Sequence, residues 1–225
     1  MKIKGAIFDM DGTLVDSLFF WPHFWRRLGE TYMNKENFTP DEEVDKNIRT
    51  MIYVDAMKYI KKYYHIYADI NDFMTFGTNS LTDFYTHEAA VKEGAVALLE
   101  HLKRQNARIC LASATDIQYV KLALTHFDLM KYFDCVISCS EIGVGKDRPD
   151  IYLLAAEKLS LDPSELCVFE DSFVALETAK QAGFLTVGIF DKYAFAQDRL
   201  RAASDFYLGE GQGLDALTAV VTVEN

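Results

Sequence analysis

The sequence predicts an α/β fold, a parallel sheet covered by helices and interrupted once by an all-helical insert. Three observations predict it. Short β-rich runs alternate with stretches of helical spacing, a pattern that sets strands in parallel with helices on both faces. Residues 17–90 break the alternation, holding several helical runs and few strand-like ones. Two hydrophobic runs end directly in paired acidic residues, at the place where open parallel sheets bind their ligands.

Taken in order, the strand-like runs are residues 3–8, 108–112, 135–138, 166–169, 186–189 and 206–208. Between them lie 91–105, 117–127, 151–159 and 172–182, whose apolar residues recur at helical intervals; Ala95, Leu98, Leu99 and Leu102 form one such stripe. Asp116 and Asp150 are placed to cap two of these helices, and Gly183 to end a third. The final TAVVTVEN fits either a frayed helix or a short strand. Within the insert, 41–50, 54–64 and 72–85 carry helical spacing, and the segment is rich in Phe, Tyr and Trp. A structureless loop of that length is out of scale with ordinary connections. The expected domains are therefore a core of residues 1–16 and 91–225 and an inserted helical domain of residues 17–90.

Half of the 225 residues are hydrophobic, enough for a substantial core. Lys and Arg number 23 against 34 Asp and Glu, a net charge of −11. Without a basic stretch, that balance argues against nucleic acid or an anionic membrane as partner. It does not argue against a phosphorylated substrate, because a bound metal ion inverts the local field. The opening MKIKGAIFDM is too short for a signal peptide, acidic residues follow it, and no apolar stretch reaches the length of a membrane span. A cytoplasmic protein is expected. Cys110, Cys135, Cys139 and Cys167 lie in or beside strand-like runs without a CxxC pair, as buried reduced thiols do.

Four features carry chemistry. In Phe8-Asp9-Met10-Asp11-Gly12-Thr13 a strand ends in two aspartates one residue apart, and residues two apart in an extended strand project to the same side. Two carboxylates in one small site cannot behave alike: one stays ionised against a metal while the other shares or carries a proton. Taken alone, the motif is also what an acidic loop after a strand looks like. Phe169-Glu170-Asp171-Ser172 is a second acidic pair at a strand end, fit to complete an oxygen-rich magnesium site or simply to cap the helix that follows. Ser113 and Ala114, after a third strand, offer a hydroxyl and backbone N–H groups to phosphate oxygens. Lys146, in GVGK, offers an ammonium that neutralises nucleophile and phosphate together. GVGK is not a P-loop, since Ser140 falls where that motif needs its first glycine and Asp147 where it needs Ser or Thr.

The order of these features is more specific than any one of them. DMDGTLVDS, LASAT, Lys146 and FEDS together closely resemble the four motifs of the haloacid dehalogenase superfamily, in its branch of phosphoglycolate phosphatases and β-phosphoglucomutases with a helical cap. FEDSFVALETAKQAGFLTVGI and KDRPDIYLLAAEKL extend the resemblance, although Asp147 stands where the family often has proline. It covers the core and is weak in the insert. The resemblance implies a Rossmann-like sheet in the order 5-4-1-2-3 and a magnesium-dependent phosphatase acting on a small phosphorylated metabolite. By the same resemblance Asp9 is the nucleophile and Asp11 the general acid and base. Magnesium is held by Asp9, Asp11 (through its main-chain oxygen), Asp171 and Glu170, and Ser113, Ala114 and Lys146 hold phosphate. A phosphosugar mutase on the same core is the alternative, and a catalytically silent binding module a more distant one. In the β-phosphoglucomutase branch a His gates the general acid shortly after the DxD motif; Trp21 stands at that position here. Phe20 and Trp21, directly after the catalytic loop, are candidates to line the substrate pocket. A monomer is expected, with a dimer left open.

Overall fold

The computed structural model describes residues 1–48, 51 and 53–224. The first hydrophobic run makes two strands rather than one. β1 (Lys2–Ile3) pairs in parallel with β10 (Thr222–Val223), while β2 (Gly5–Phe8) enters the main sheet. Lys4 separates them because its backbone turns to other partners: its N–H donates to Glu165 O at 2.8 Å and its carbonyl accepts from Arg108 N at 3.2 Å.

In chain order follow β3 (Val15–Asp16), helices α1 (Phe20–Leu28), α2 (Glu42–Ile48), α3 (Tyr53–Tyr63) and α4 (Ile70–His87), then β4 (Ala90–Val91), α5 (Ala95–Arg104) and β5 (Arg108–Ser113). The remainder is α6 (Ile117–His126), β6 (Cys135–Ser138), α7 (Cys139–Ile142), α8 (Asp150–Leu159), β7 (Leu166–Glu170), α9 (Phe173–Gln181), β8 (Leu185–Ile189), α10 (Gln197–Ala203), β9 (Phe206–Leu208) and β10. The main sheet has six strands in the order β6-β5-β2-β7-β8-β9, every neighbouring pair parallel. Read from the other edge this is the expected 5-4-1-2-3, extended by β9. The order reverses on either side of β2, so the crevice at its C-terminal end, between β5 and β7, is the topological switch point.

β2 is buried along its whole length, as a central parallel strand must be. Gly5 lets it lie there: a Cβ would meet Arg108 O at 2.7 Å and Leu166 Cδ2 at 2.8 Å. Ile7 packs in a cluster with Ile151, Ala155, Leu176 and Leu200 from α8, α9 and α10. Ala6 and Phe8 point the other way and are equally buried, so both faces of the sheet are covered. Each such Leu or Ile contributes about 1.5–3 kcal/mol by leaving water.

Asp116 caps α6, its carboxylate accepting from Gln118 N at 3.0 Å. Asp150 does not cap α8. Pro149 holds the N-cap position, Asp150 is the first helical residue, and its carboxylate pairs with Arg148 Nε at 3.1 Å. Gly183 follows α9 with φ +92°, the left-handed conformation that ends helices. The helical spacing of 91–105 begins late: Ala90–Val91 forms β4, antiparallel to β3, and the helix starts after Gly94. α10 is a helix the sequence reading did not assign. The C-terminal stretch supplies both alternatives, a 3₁₀ turn at Leu214–Ala219 and then β10.

The chain divides into two compact units, Met1–Leu18 with Ala90–Asn225, and Phe19–Ala89. In the second, α1 to α4 enclose an aromatic core. Phe20 meets Phe84 edge to face and Phe24 at a tilt, and Trp25 donates its Nε1–H to Asp45 at 2.7 Å. Gly29 allows the turn after α1 to close, since a Cβ there would lie 2.2 Å from Phe38 Cβ. The helix expected over 41–50 is described as far as Ile48; Arg49 and Thr50 lie outside the described residues. Cys110, Cys139 and Cys167 are buried free thiols and Cys135 is half-buried.

Candidate active site

Parallel strands ending side by side set the site. β2 pairs with β7 so that Phe8 faces Phe169, and the two rings stack 4.3 Å apart. The ladder continues one residue further, Asp9 N–H donating to Phe169 O at 3.0 Å. Asp9 therefore stands beside Glu170 and Asp171, and these three buried carboxylates bring oxygens within 4.8 Å of one another. Gly12 makes the approach possible. Its φ is +81°, and a Cβ would sit 2.6 Å from Asp171 Oδ2, so the DxDG turn admits only glycine where it lies against the second motif. Thr13 Oγ1 donates weakly to Asp171 Oδ1 at 3.3 Å.

Lys146 enters from the loop after α7, a short helix closed by a Ser138–Glu141 capping box and by Gly143 at φ +73°. Its ammonium donates to Asp9 Oδ1 and, at 2.5 Å, to Glu170 Oε1. Burial alone would lower the lysine's pKa, but Asp9 and Glu170 hold it well above the usual value, so it is a cation. Asp9 is pushed up to about 8, first by burial and then by Glu170 and Asp11, with Lys146 opposing. Asp171 is raised well above the ordinary carboxylate range by burial and by the charges of Glu170 and Asp9. Fully ionised, the three carboxylates would outnumber the one ammonium, an excess of negative charge that protons offset in the metal-free site. Hard oxygen donors, burial and that excess fit a hard divalent cation.

Glu170 is fixed on every side. Tyr152 OH donates to Oε1 at 3.2 Å and Ser172 N–H to Oε2 at 3.1 Å. Burial and the Glu170 charge raise Tyr152 well above its usual pKa, so it stays a donor. The Asp11 carboxylate is not a member of the three-carboxylate cluster; it accepts from Ser17 Oγ and Thr115 Oγ1, each at 2.7 Å. Ser113 ends β5, next to β2, and its Oγ accepts from Thr115 N at 3.0 Å; the exposed Ala114 follows it. In the helical unit Phe20 is buried against Phe24 and Phe84, and Trp21 is half-buried with its ring edge-on to both Phe20 and Phe24. α1 begins at Phe20, with Phe19 at the N-cap position, so Phe20 and Trp21 lie in its first turn.

The family model of haloacid dehalogenase-like hydrolases matches residues 3–183. The chain belongs to that family. A phosphorylated carbohydrates phosphatase of Thermotoga maritima is 28% identical over 181 residues, covering 80% of this chain and 82% of that one. Hexitol phosphatase B of Escherichia coli K12 is 29% identical, covering 80% and 81%. Among solved structures, a β-phosphoglucomutase from Clostridium difficile superposes with a TM-score of 0.74 at 18% identity, covering 96% and 93%. That last likeness establishes the shared fold. The phosphatase relatives support a phosphoric monoester hydrolase, as the order of the four motifs implies.

Tyr152, Ser17 and Thr115 are polar partners the sequence reading did not single out. Tyr152 hides in the apolar stripe of α8, where its spacing reads as core. Ser17 and Thr115 are the last residues of DMDGTLVDS and LASAT, motifs in which no role was assigned to them.

Proposed function

We propose that the protein is a magnesium-dependent phosphatase that hydrolyses a small phosphorylated metabolite, of the sugar or polyol phosphate class, through an aspartyl-phosphate on Asp9. The observation that carries the reading is the buried contact of the Lys146 ammonium with Asp9, beside Glu170 and Asp171, at the switch point of a hydrolase sheet. The phosphatases of phosphorylated carbohydrates and hexitols among the relatives support the substrate class.

Asp9 attacks phosphorus as a carboxylate, and the bond from phosphorus to the leaving oxygen breaks. Burial works against that ionised form, and Lys146 opposes burial. Asp11 gives its proton to the leaving oxygen, then takes one from the water that releases phosphate and restores Asp9, help worth about 10²–10⁴-fold. Tyr152 and Ser172 keep Glu170 aimed at Lys146. Ser113 and Ala114 offer a hydroxyl and N–H groups to the phosphoryl oxygens. Asp9, Glu170 and Asp171, with the Asp11 main-chain oxygen, would hold magnesium, which supplies neutralisation of phosphate charge.

A panel of sugar and polyol phosphates, assayed for released phosphate, tests this. Turnover is expected with magnesium and none in excess chelator; undiminished turnover in chelator refutes the metal. Offering β-glucose 1-phosphate with a trace of the bisphosphate tests the mutase alternative. Inorganic phosphate is expected, and glucose 6-phosphate appearing much faster would overturn the choice.

The proposal extends to Trp21 as a residue that selects among esters. Trp21→Ala is expected to reorder kcat/KM across the panel while costing less than the about 3–5 kcal/mol of truncating a core aromatic. An unaltered order with a full core-sized loss in a denaturant titration would assign Trp21 to packing alone.

A further inference from the structure

Thr115 comes to Asp11 from a distant part of the chain, the turn between β5 and α6, and places its hydroxyl 2.7 Å from Oδ2. Ser17, six residues after Asp11 and directly after β3, holds Oδ1 at 2.7 Å. The turn bearing Thr115 is itself tied down from both sides. Its N–H donates to Ser113 Oγ at 3.0 Å, and its carbonyl accepts from Ser138 Oγ at 2.6 Å. Ser113 and Ser138 face each other in the β5–β6 register, and Ser138 is fully buried. The threonine side chain, stiff at its first torsion, thus starts from a backbone anchored to two strands of the sheet. Its hydroxyl is aimed across the C-terminal rim to the loop after β2.

From this geometry we infer that Thr115 is a positioning residue for the acid–base carboxylate of Asp11, a role that rests on the phosphatase reading above. The chemistry of the partner suits the task. A carboxyl group that alternates between acid and base needs a neighbour that serves both forms. A hydroxyl donates to the carboxylate and accepts from the acid, whereas a lysine or an amide N–H only donates. Ser17 holds one carboxylate oxygen of Asp11, and Thr115 holds the other. The second contact is anchored in the sheet, and proton transfer is sensitive to placement at the level of an ångström. Thr115 acts through Asp11 and takes no part in bonding to phosphorus.

Because the role concerns the proton given to the leaving oxygen, its loss must depend on the leaving group. An alkoxide needs that proton; p-nitrophenolate, a weak base, leaves without it. kcat/KM reports the steps up to departure of the alcohol, before water enters. The test compares wild type, Thr115→Val, Thr115→Ser and Asp9→Asn on sorbitol 6-phosphate and p-nitrophenyl phosphate with magnesium, alongside their melting temperatures. Thr115→Val is expected to lower kcat/KM for the alkyl ester by about 10–100-fold, a share of the acid–base contribution. For the aryl ester the fall is expected to stay within about threefold, since the acid's contribution is then small. Thr115→Ser, which keeps the hydroxyl, restores the alkyl rate to near wild type. Equal losses on both esters, no loss on either, or failure of serine to rescue would overturn the inference while leaving the phosphatase reading intact. Wild-type turnover that is absent would instead overturn the phosphatase reading itself, and turnover that survives in Asp9→Asn would end its covalent route through Asp9.

Discussion

Asp9→Asn is expected to abolish turnover of every ester while leaving the protein folded. Amide and carboxylate are nearly isosteric, so the change removes a nucleophile without opening a cavity. The fold around it is held independently: the Asp9 N–H bond to Phe169 O belongs to the backbone, and Lys146 keeps Glu170 as a partner. A fall of about 10³-fold or more is the scale seen when a nucleophile is lost and residual catalysis comes from the remaining groups. Beryllofluoride, which mimics a phosphorylated aspartate, should bind wild type and not the variant. Circular dichroism and melting would show the fold retained. Substantial activity in carefully purified Asp9→Asn would end the assignment of Asp9 as nucleophile and, with it, the covalent route.

The fold was legible because its signals are local and repeated. Four of the expected strands, at 108–112, 135–138, 166–169 and 186–189, match β5 to β8 within one residue at each end, since a buried parallel strand reads as an uninterrupted apolar run. Most of what escaped depends on contacts between distant residues; Asp150 instead turns on its immediate neighbours. Nothing local in residues 3–8 marks Lys4 as the break between β1 and β2; the break exists because Glu165 and Arg108 take its backbone groups. Asp150 has the right type and place for a helix cap, but Pro149 beside it takes that position and Arg148 takes the carboxylate. The ribbon of β3 and β4 joins residues far apart in sequence, in strands too short to show a period.

The site divides in the same way. Asp9, Lys146, Glu170 and Asp171 were each ambiguous alone and became specific through their order along the chain; the structure brings these four together. The residues that aim them were not legible. Tyr152 looks like any aromatic in an apolar stripe until its hydroxyl is seen on Glu170. Thr115 looks like a turn residue before a helix until its hydroxyl is seen on Asp11. A positioning hydrogen bond is a property of two backbones meeting, and one sequence carries only half of that information at each place.

Asp171→Asn is expected to abolish activity and at the same time to stabilise the metal-free protein. Its carboxylate is buried beside Glu170 and Asp9, and Lys146 donates to those two. Burial and these like charges raise its pKa well above the ordinary value of about 3.8. The sign follows from proton counting. As pH rises past that ordinary value the unfolded carboxyl ionises while the folded one still holds its proton, so the folded state binds more protons and stability falls with pH. The decline continues until the folded group ionises as well, and Asp9, raised to about 8, adds to it in the same direction. Asparagine carries no charge at any pH and removes the Asp171 share. In chelator, the variant should therefore melt above wild type near pH 8, with the gap closing toward pH 4. Each kcal/mol of relieved repulsion is worth about 2–4 °C in a chain of this size. Magnesium should raise the melting temperature of wild type, by binding the folded state alone, and should fail to do so in the variant. A metal-free variant less stable than wild type at pH 8 would show that Asp171 is tied into the fold by contacts worth more than the repulsion. A magnesium-induced rise that survives in Asp171→Asn would remove Asp171 from the cation site, leaving Asp9 and Glu170 to hold it.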